Sequence, residues 1–479
     1  MKKILSIDQG TTSSRAIVFS DTGDVLHTAQ RELKLGYPQS GWVEQNPDDI
    51  IADTLWCVEE CLKHHPDIVA MGITNQRETT ILWDKDTGKA VYNAIVWQDR
   101  RTAEYCASLK TNEAMVRGKT GLLLDPYFSA TKINWVLKNV AGARQAAEAG
   151  QLLFGTVDSF LLWHLTGGQV HATDMTNASR TMLFNIHTLQ WDDDLLALFD
   201  IPKSLLPEVK ENVADFGTYK NIPITGMAGD QQAALIGQGC VTAGMIKSTY
   251  GTGCFALMNI GTEPKISEHK LLTSIGYVVN GKRAYVLEGS IFVAGAAIQW
   301  LRDEMEFFVS AAESEALANS VSDTNGVYFV PAFTGLGAPY WNPDVRGALF
   351  GLTRGTTKAH ITRAALEAQA YQTCDLMGAM IADSGVTPSV MRVDGGLVQN
   401  NLMAQFLSDM LDMQVDIPKS VETTALGAAY LAGIGAGVFA GLDDVAGKWT
   451  KEKSFSSTMS NEKRDQSYDE WKKAVGRLL

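Results

Sequence analysis

The chain has 479 residues, of which 45% are hydrophobic and 20% charged, and it carries a net charge of −13. This length exceeds what one hydrophobic core supports, so at least two domains are expected, and the composition excludes extensive disorder. An acidic surface repels nucleic acid and anionic membranes, so any phosphate site must be built locally from backbone N–H groups, arginine and metal.

The N-terminus reads as a β-meander. Ile4–Ile7 and Ala16–Phe19 are apolar runs joined by the turn-like Gln9-Gly10-Thr11-Thr12-Ser13-Ser14, and Asp21-Thr22-Gly23-Asp24 leads into a third strand over Val25 to Leu35. Lys2-Lys3 followed only by Ile4 to Ile7 is too short for a signal peptide. Cys57 and Cys61, four residues apart, read as packing residues on one helix face. The six cysteines form no C-x-x-C pair and the eight histidines no cluster, which fits a reducing, cytoplasmic setting and argues against zinc or haem.

Further along, Ile222–Ala228 reads as a strand and Gln231–Ile236 as the helix after it. Ile246–Thr249 then enters Tyr250-Gly251-Thr252-Gly253, and Cys254–Asn259 is apolar again. Gly10-Thr11 and Gly251-Thr252 stand 241 residues apart, about half the chain, which suggests two similar α/β domains, each opened by a strand pair with a Gly-Thr turn. The boundary falls within Gly237–Gly244. Val390–Val393 reads as a strand, and Leu402, Phe406 and Met410 with Met403, Leu407 and Leu411 recur at helical spacing after it. Thr423 to Leu442 is uncharged but rich in glycine and alanine, which suits close helix packing better than a membrane span.

Four constellations could carry chemistry. In Asp8-Gln9-Gly10-Thr11-Thr12-Ser13-Ser14-Arg15, a hydroxyl-rich turn can gather N–H groups around a phosphate, Asp8 can hold Mg²⁺ and Arg15 adds charge; the alternative is an ordinary polar turn. No Walker A or protein-kinase motif is present, which argues against those classes. Asp230, in Gly229-Asp230-Gln231-Gln232, falls between a strand and a helix; its position alone reads first as an N-cap and second as a general base. Arg77 and Glu78, in Asn75-Gln76-Arg77-Glu78-Thr79-Thr80 and followed by Trp97-Gln98-Asp99-Arg100-Arg101, could bind a polyol by donating and accepting hydrogen bonds, but alone read first as a surface ion pair. Asp394-Gly395-Gly396 with Asn400-Asn401 marks a strand-to-helix crevice of the kind that binds nucleotides, or a plain turn.

Taken together, Asp8 to Arg15, Gly72 to Thr80, Trp97, Gly121 to Trp135, Gly155 to Asp158, Thr176 to Thr188, Gly226 to Gly237, Thr249 to Phe255, Phe333 to Thr353 and Asp394 to Asn401 resemble the glycerol kinases of the FGGY carbohydrate kinase family. The resemblance is nearly full length. It includes both patterns typical of that family, Tyr127-Phe128-Ser129-Ala130-Thr131-Lys132-Ile133-Asn134-Trp135 and Gly347-Ala348-Leu349-Phe350-Gly351-Leu352 with His360 to Glu367.

The resemblance implies an α/β fold of two actin-like, ribonuclease-H-like domains around a central cleft. Residues 1–238 would form the glycerol and phosphate side and residues 239–479 the nucleotide side. The implied reaction is ATP-dependent, Mg²⁺-assisted phosphorylation of glycerol to sn-glycerol 3-phosphate, the first step of glycerol catabolism. By matching motifs, Asp230 would be the catalytic base. Arg77, Glu78, Tyr127 and Gln231 would hydrogen-bond the glycerol hydroxyls, and Trp97 and Phe255 would pack on its carbon face. Thr11, Thr12, Ser13 and Arg15 would contact ATP phosphates, and Thr252, Gly295, Gln299, Gly396 and Asn400 would complete the nucleotide site. Asp8, with Asp230 nearby, would position Mg²⁺. The family also implies a homo-oligomer, dimer or tetramer, with no nucleic-acid partner and no membrane span.

Two alternatives stand beside this one: a kinase of another small polyol or ketose, and a non-catalytic nucleotide switch of the actin or chaperone type. The chain also departs from some relatives. Thr218-Tyr219-Lys220-Asn221-Ile222 is shorter than the Gly- and Arg-bearing loop of glycerol kinases inhibited by fructose 1,6-bisphosphate, and it lacks the histidine of those activated by phosphorylation. The tail Ser454 to Tyr468 diverges from relatives that bind a sugar-transport regulatory protein. None of these controls is expected here.

Overall fold

The computed structural model describes residues 1–479. Strands β1 (Lys3–Gln9), β2 (Ser13–Ser20) and β3 (Val25–Glu32) form the expected meander. Helix α1 (Pro47–His64) starts where the Asn46 side chain accepts from the Asp48 N–H, and it buries Cys57 and Cys61 against this sheet. Their Sγ atoms lie 3.3 Å from the Ser14 and Ala16 carbonyl oxygens. Strand β4 (Ile68–Asn75) is buried on both faces, as its run Ile-Val-Ala-Met-Gly-Ile requires of a central parallel strand. Helix α2 (Ser129–Asn139) follows. Strands β5 (Thr218–Tyr219) and β6 (Ile222–Gly229) then complete a six-stranded sheet of order β5-β6-β4-β1-β2-β3. Lys220 and Asn221 link β5 to β6 with φ of 48° and 67°, a two-residue hairpin turn.

Asp8, Thr74 and Ala228 lie abreast on β1, β4 and β6, so these strands end along one edge of the sheet. Helix α3 (Asp230–Gly237) leaves from that edge.

A second sheet begins with β7 (Ile246–Tyr250), β8 (Cys254–Gly261), β9 (Leu272–Val279) and β10 (Lys282–Ile291). After helix α4 (Gly295–Asp303) come β11 (Val390–Asp394), helix α5 (Asn401–Leu411), β12 (Gln414–Pro418), helix α6 (Thr423–Gly435) and β13 (Lys451–Phe455). The order is β9-β10-β8-β7-β11-β12-β13. Five consecutive strands of each sheet, β3-β2-β1-β4-β6 and β10-β8-β7-β11-β12, repeat one topology: two antiparallel pairings, then two parallel ones. The two Gly-Thr turns occupy the same place in each copy, between the first and second strands. This is the two-lobed, actin-like arrangement.

The glycine- and alanine-rich segment is the helix that joins the lobes. α6 crosses α3 so closely that a Cβ on Gly427 would fall 1.8 Å from the Ala233 carbonyl oxygen, and one on Gly237 would fall 1.9 Å from that of Thr423. It also lies across the first sheet, where Cβ atoms on Gly72 and Gly226 would fall 2.3 Å from the backbone of Ala428 and Ala432. No helix of the chain is long and apolar enough to cross a membrane.

Candidate functional site

The site is assembled from strand ends. Asp8, at the end of β1, is buried and faces Arg15 directly across the β1–β2 hairpin, where the two side chains form an ion pair. Arg15 also reaches Glu422 just before α6, donating from Nη1 to Oε2 at 2.8 Å. The turn between them carries Thr11, Thr12 and Ser13, with Thr12 exposed. The Trp97 indole N–H donates to Thr11 Oγ1 at 2.9 Å, which ties the phosphate-type turn to the aromatic group described below.

At the end of β4 stand Arg77 and Glu78. They are 3% and 1% exposed, so the surface ion pair that the residues alone suggested is not what forms. Glu78 adopts a left-handed φ of 61°, which costs an ordinary side chain roughly 1–3 kcal/mol and is held by surrounding contacts. Its carbonyl oxygen accepts from the Thr80 and Ser129 hydroxyls at 3.0 and 3.1 Å.

Arg77 donates a fork to Glu288 on β10, from Nη1 to Oε2 at 2.6 Å and from Nη2 to Oε1 at 2.9 Å. Its Nη1 also donates to Gln232 Oε1 at 3.2 Å, and its Nε lies 3.1 Å from Asp230 Oδ1. A Cβ at Gly229 would sit 2.7 Å from Arg77 Cδ, so only glycine lets the guanidinium stem pass there.

Asp230 is the first residue of α3. The preceding Gly229 holds the N-cap position and has no side chain to cap with, so Asp230 is not the N-cap. Its Oδ1 accepts from the Gln231 N–H at 2.6 Å, and the side chain keeps 31% of its surface exposed. Partial withdrawal from water pushes its pKa up to about 6; Arg77 opposes the rise and Glu78 adds to it. The result is a carboxylate ionised at neutral pH, near the ideal for a proton acceptor there.

Gln231 Oε1 accepts from Lys247 Nζ on β7, and the same ammonium donates to Thr249 Oγ1 at 3.0 Å. Lys247 is fully buried, and desolvation lowers its pKa. Trp97 packs edge-to-face on Tyr127 (centroids 5.6 Å apart) and on Phe255 of β8 (6.2 Å). Arg77, Glu78, Trp97, Tyr127, Asp230, Gln231 and Phe255 thus form one neighbourhood, with both lobes contributing.

The second predicted group gathers around the Gly251–Gly253 turn. The Gly295 N–H donates to the Gly251 carbonyl at 2.9 Å and the Ala296 N–H to that of Thr252 at 3.1 Å, which seats the start of α4 on the turn. A Cβ on Gly295 would lie 2.6 Å from the Gly251 oxygen, and one on Gly395 2.4 Å from the Tyr250 oxygen. Thr252, Gly295 and Gly396 therefore lie on turns that touch, with Gln299 exposed on the next turn of α4. Asn400 is partly committed: its Oδ1 caps α5 by accepting from the Met403 N–H at 3.1 Å, and its Nδ2 donates to Ser314.

Asp8 and Asp230 flank β4 at the same sheet edge, roughly 10 Å apart by strand spacing. No three His, Cys, Asp or Glu side chains cluster in a metal-holding arrangement. Two carboxylates on either side of one strand end suit a Mg²⁺ ion that keeps waters and takes its other ligands from phosphates.

Sequence reasoning gave no role to Arg180, Lys247 and Glu288. Arg180 donates from Nε to Glu78 Oε1 at 2.5 Å and from Nη2 to Glu288 Oε1 at 3.1 Å. Burial alone would raise the Glu288 pKa, but Arg180 and Arg77 hold it down at about 2. A signal existed: Lys247 is the single charge of a strand, Glu288 follows the apolar run Ala284–Leu287, and a charge buried in a strand demands a partner.

Family models for the N-terminal and C-terminal domains of the FGGY family of carbohydrate kinases match residues 3–237 and 246–436. A glycerol kinase of Nitrosomonas eutropha is 60% identical, over 99% of this chain and 98% of its own length. Glycerol kinase 1 of Pseudomonas aeruginosa is 56% identical, over 99% of this chain and 98% of its own. The crystal structure of Plasmodium falciparum glycerol kinase with ADP superposes with a TM-score of 0.95 at 39% identity, covering 100% of this chain and 98% of that one.

Proposed function

The chain belongs to the FGGY family of carbohydrate kinases, and from that premise we propose that it transfers the γ-phosphoryl group of ATP to a terminal hydroxyl of glycerol, giving sn-glycerol 3-phosphate and ADP. The observation that carries the reading is Asp230: a carboxylate with pKa about 6, part exposed, held at 3.1 Å by Arg77 beside an aromatic wall.

Arg77, Glu78, Tyr127 and Gln231 would hold the hydroxyls, with Trp97 and Phe255 against the carbon chain. A buried hydroxyl left unpaired costs about 1–3 kcal/mol, so a partner for each favours a compact triol. Asp230 takes the proton of the terminal hydroxyl as its oxygen bonds to the γ-phosphorus and the bond to the ADP oxygen breaks. The proton then leaves through the solvent-facing part of the carboxylate. Thr11, Thr12, Ser13 and Arg15 would donate to the phosphates, and Thr252, Gly295, Gln299, Gly396 and Asn400 would receive the rest of the nucleotide. Mg²⁺ arriving with ATP would be held by Asp8 and Asp230 and would supply charge neutralisation at the β- and γ-phosphate oxygens. Most of the catalysis is positioning, with water kept out as a competing acceptor.

The division at residues 238/239 and a cytoplasmic location are part of this proposal; six free cysteines support a reducing compartment. A dimer or tetramer is the family expectation, read by light scattering. The functional test is coupled ADP release across polyols. Glycerol should give the highest kcat/KM, and faster turnover of xylulose or erythritol would overturn the substrate.

A further inference from the structure

Glu288 belongs to the second lobe, yet its carboxylate lies among first-lobe residues. It is 1% exposed and accepts from two arginines that approach from different segments, Arg77 at the end of β4 and Arg180 in the loop before Met182. Each arginine has a second task. Arg77 turns its Nε toward Asp230, while Glu288 takes one N–H from each terminal nitrogen and Gln232 a second from Nη1, which leaves one Nη2 N–H uncommitted. Arg180 grips Glu78, and its guanidinium carbon lies 5.5 Å from the centroid of the Tyr127 ring.

The contact is part of a seam. Gln232 Nε2 donates to the Ile275 carbonyl on β9 at 3.2 Å, and the Val278 N–H donates to Asn212 Oδ1 at 2.6 Å. The edge of the second sheet is therefore a fixed floor under the first lobe, and Glu288 is its one carboxylate facing the two arginines.

We propose that Glu288 is a positioning residue for the polyol site: it holds Arg77 and Arg180 in the orientations that aim Arg77, Glu78 and Tyr127 at the substrate. It touches neither polyol nor nucleotide and acts through the two guanidinium groups. This rests on the assignment of Arg77, Glu78 and Tyr127 to glycerol binding. Without the carboxylate, Arg77 can turn its fork onto Asp230, and Arg180 loses the anchor that orients it toward Glu78. Loss of a charge-assisted hydrogen-bonding partner of this kind corresponds to roughly 10- to 100-fold in binding.

The test is steady-state kinetics of Glu288→Gln, Glu288→Asp and Arg180→Lys, each with a thermal melt. In Glu288→Gln, KM for glycerol should rise roughly 10- to 100-fold while KM for ATP stays within about threefold. Glu288→Asp, which keeps the charge, should recover most of that loss. Arg180→Lys should show the same split. The double variant Glu288→Gln/Arg180→Lys should cost little more than either alone, since both act through one network. Should Glu288→Gln fail to fold, Glu288→Asp and Arg180→Lys carry the same measurement. The proposal is overturned by an unchanged KM for glycerol, by equal rises for both substrates, or by fully multiplicative losses in the double variant. A wild-type chain that does not phosphorylate glycerol overturns the functional reading itself, a result distinct from all three.

Discussion

Replacing Asp230 by asparagine removes the proton acceptor and one anionic contact to Mg²⁺, and leaves the other contacts of the side chain in place. The amide Oδ1 can still accept from the Gln231 N–H, now at 2.6 Å, and remain beside Arg77 Nε, now 3.1 Å away. Arg77 is not left as an unpaired buried charge, because Glu288 takes both its terminal nitrogens. Losing a paired surface-facing carboxylate should therefore move stability by no more than about 1 kcal/mol. What disappears is the proton acceptor. A positioned general base contributes typically about 10²- to 10⁴-fold, or roughly 3–5 kcal/mol at 1.36 kcal/mol per decade. Phosphoryl transfer has a loose transition state in which the attacking hydroxyl keeps its proton until late, so the lower half of that range is expected, about 10²- to 10³-fold in kcat. The assay is coupled ADP release at pH 8 with saturating glycerol and MgATP, together with glycerol and nucleotide binding by calorimetry. Affinities near wild type with the predicted fall in kcat support the base. A kcat within about threefold of wild type would falsify the role and leave Asp230 as a residue that only begins a helix.

Three further outcomes follow from the same geometry. Because Asp230 works when ionised and its pKa in the free enzyme is raised to about 6, kcat/KM for glycerol should be flat above neutrality and fall tenfold per pH unit below 6, read from a pH–rate profile; a flat profile to pH 5 contradicts it. Gly427→Ala places a Cβ where the Ala233 carbonyl oxygen is 1.8 Å away, so α3 and α6 must separate at a cost of about 2 kcal/mol or more, seen as a lower Tm; an unchanged Tm contradicts that close crossing. Trp97→Phe keeps an aromatic face toward Tyr127 and Phe255 but loses the donor to Thr11 Oγ1, so kcat/KM should drop about 3- to 10-fold, the effect of one hydrogen bond of roughly 1 kcal/mol. Trp97→Leu should lose more.

The local elements were legible because local chemistry sets them. Apolar runs and glycine-bearing turns mark β1, β2, β7 and β8, and the repeated Gly-Thr turn points to the duplicated sheet. The uncharged run after Thr423 reads as a packing helix because small side chains admit the close backbone approach found at Gly427 and Gly237. Arg77 and Glu78 read alone as a surface pair, and only the resemblance to a family gave them another role. Their burial depends on residues 211 and 102 positions away, Glu288 and Arg180, which no short window can contain. Asp230 shows the same division. Its place at the junction of a strand and a helix is written in Gly229-Asp230-Gln231, while its raised pKa arises only when folding withdraws it from water and sets Glu78 beside it, against the opposing charges of Arg77 and Lys247. Composition and periodicity thus determined the elements and their repetition. The tertiary structure decided which charges meet, because electrostatic interaction depends on distance and local solvation, and both are fixed only when the lobes close on one another.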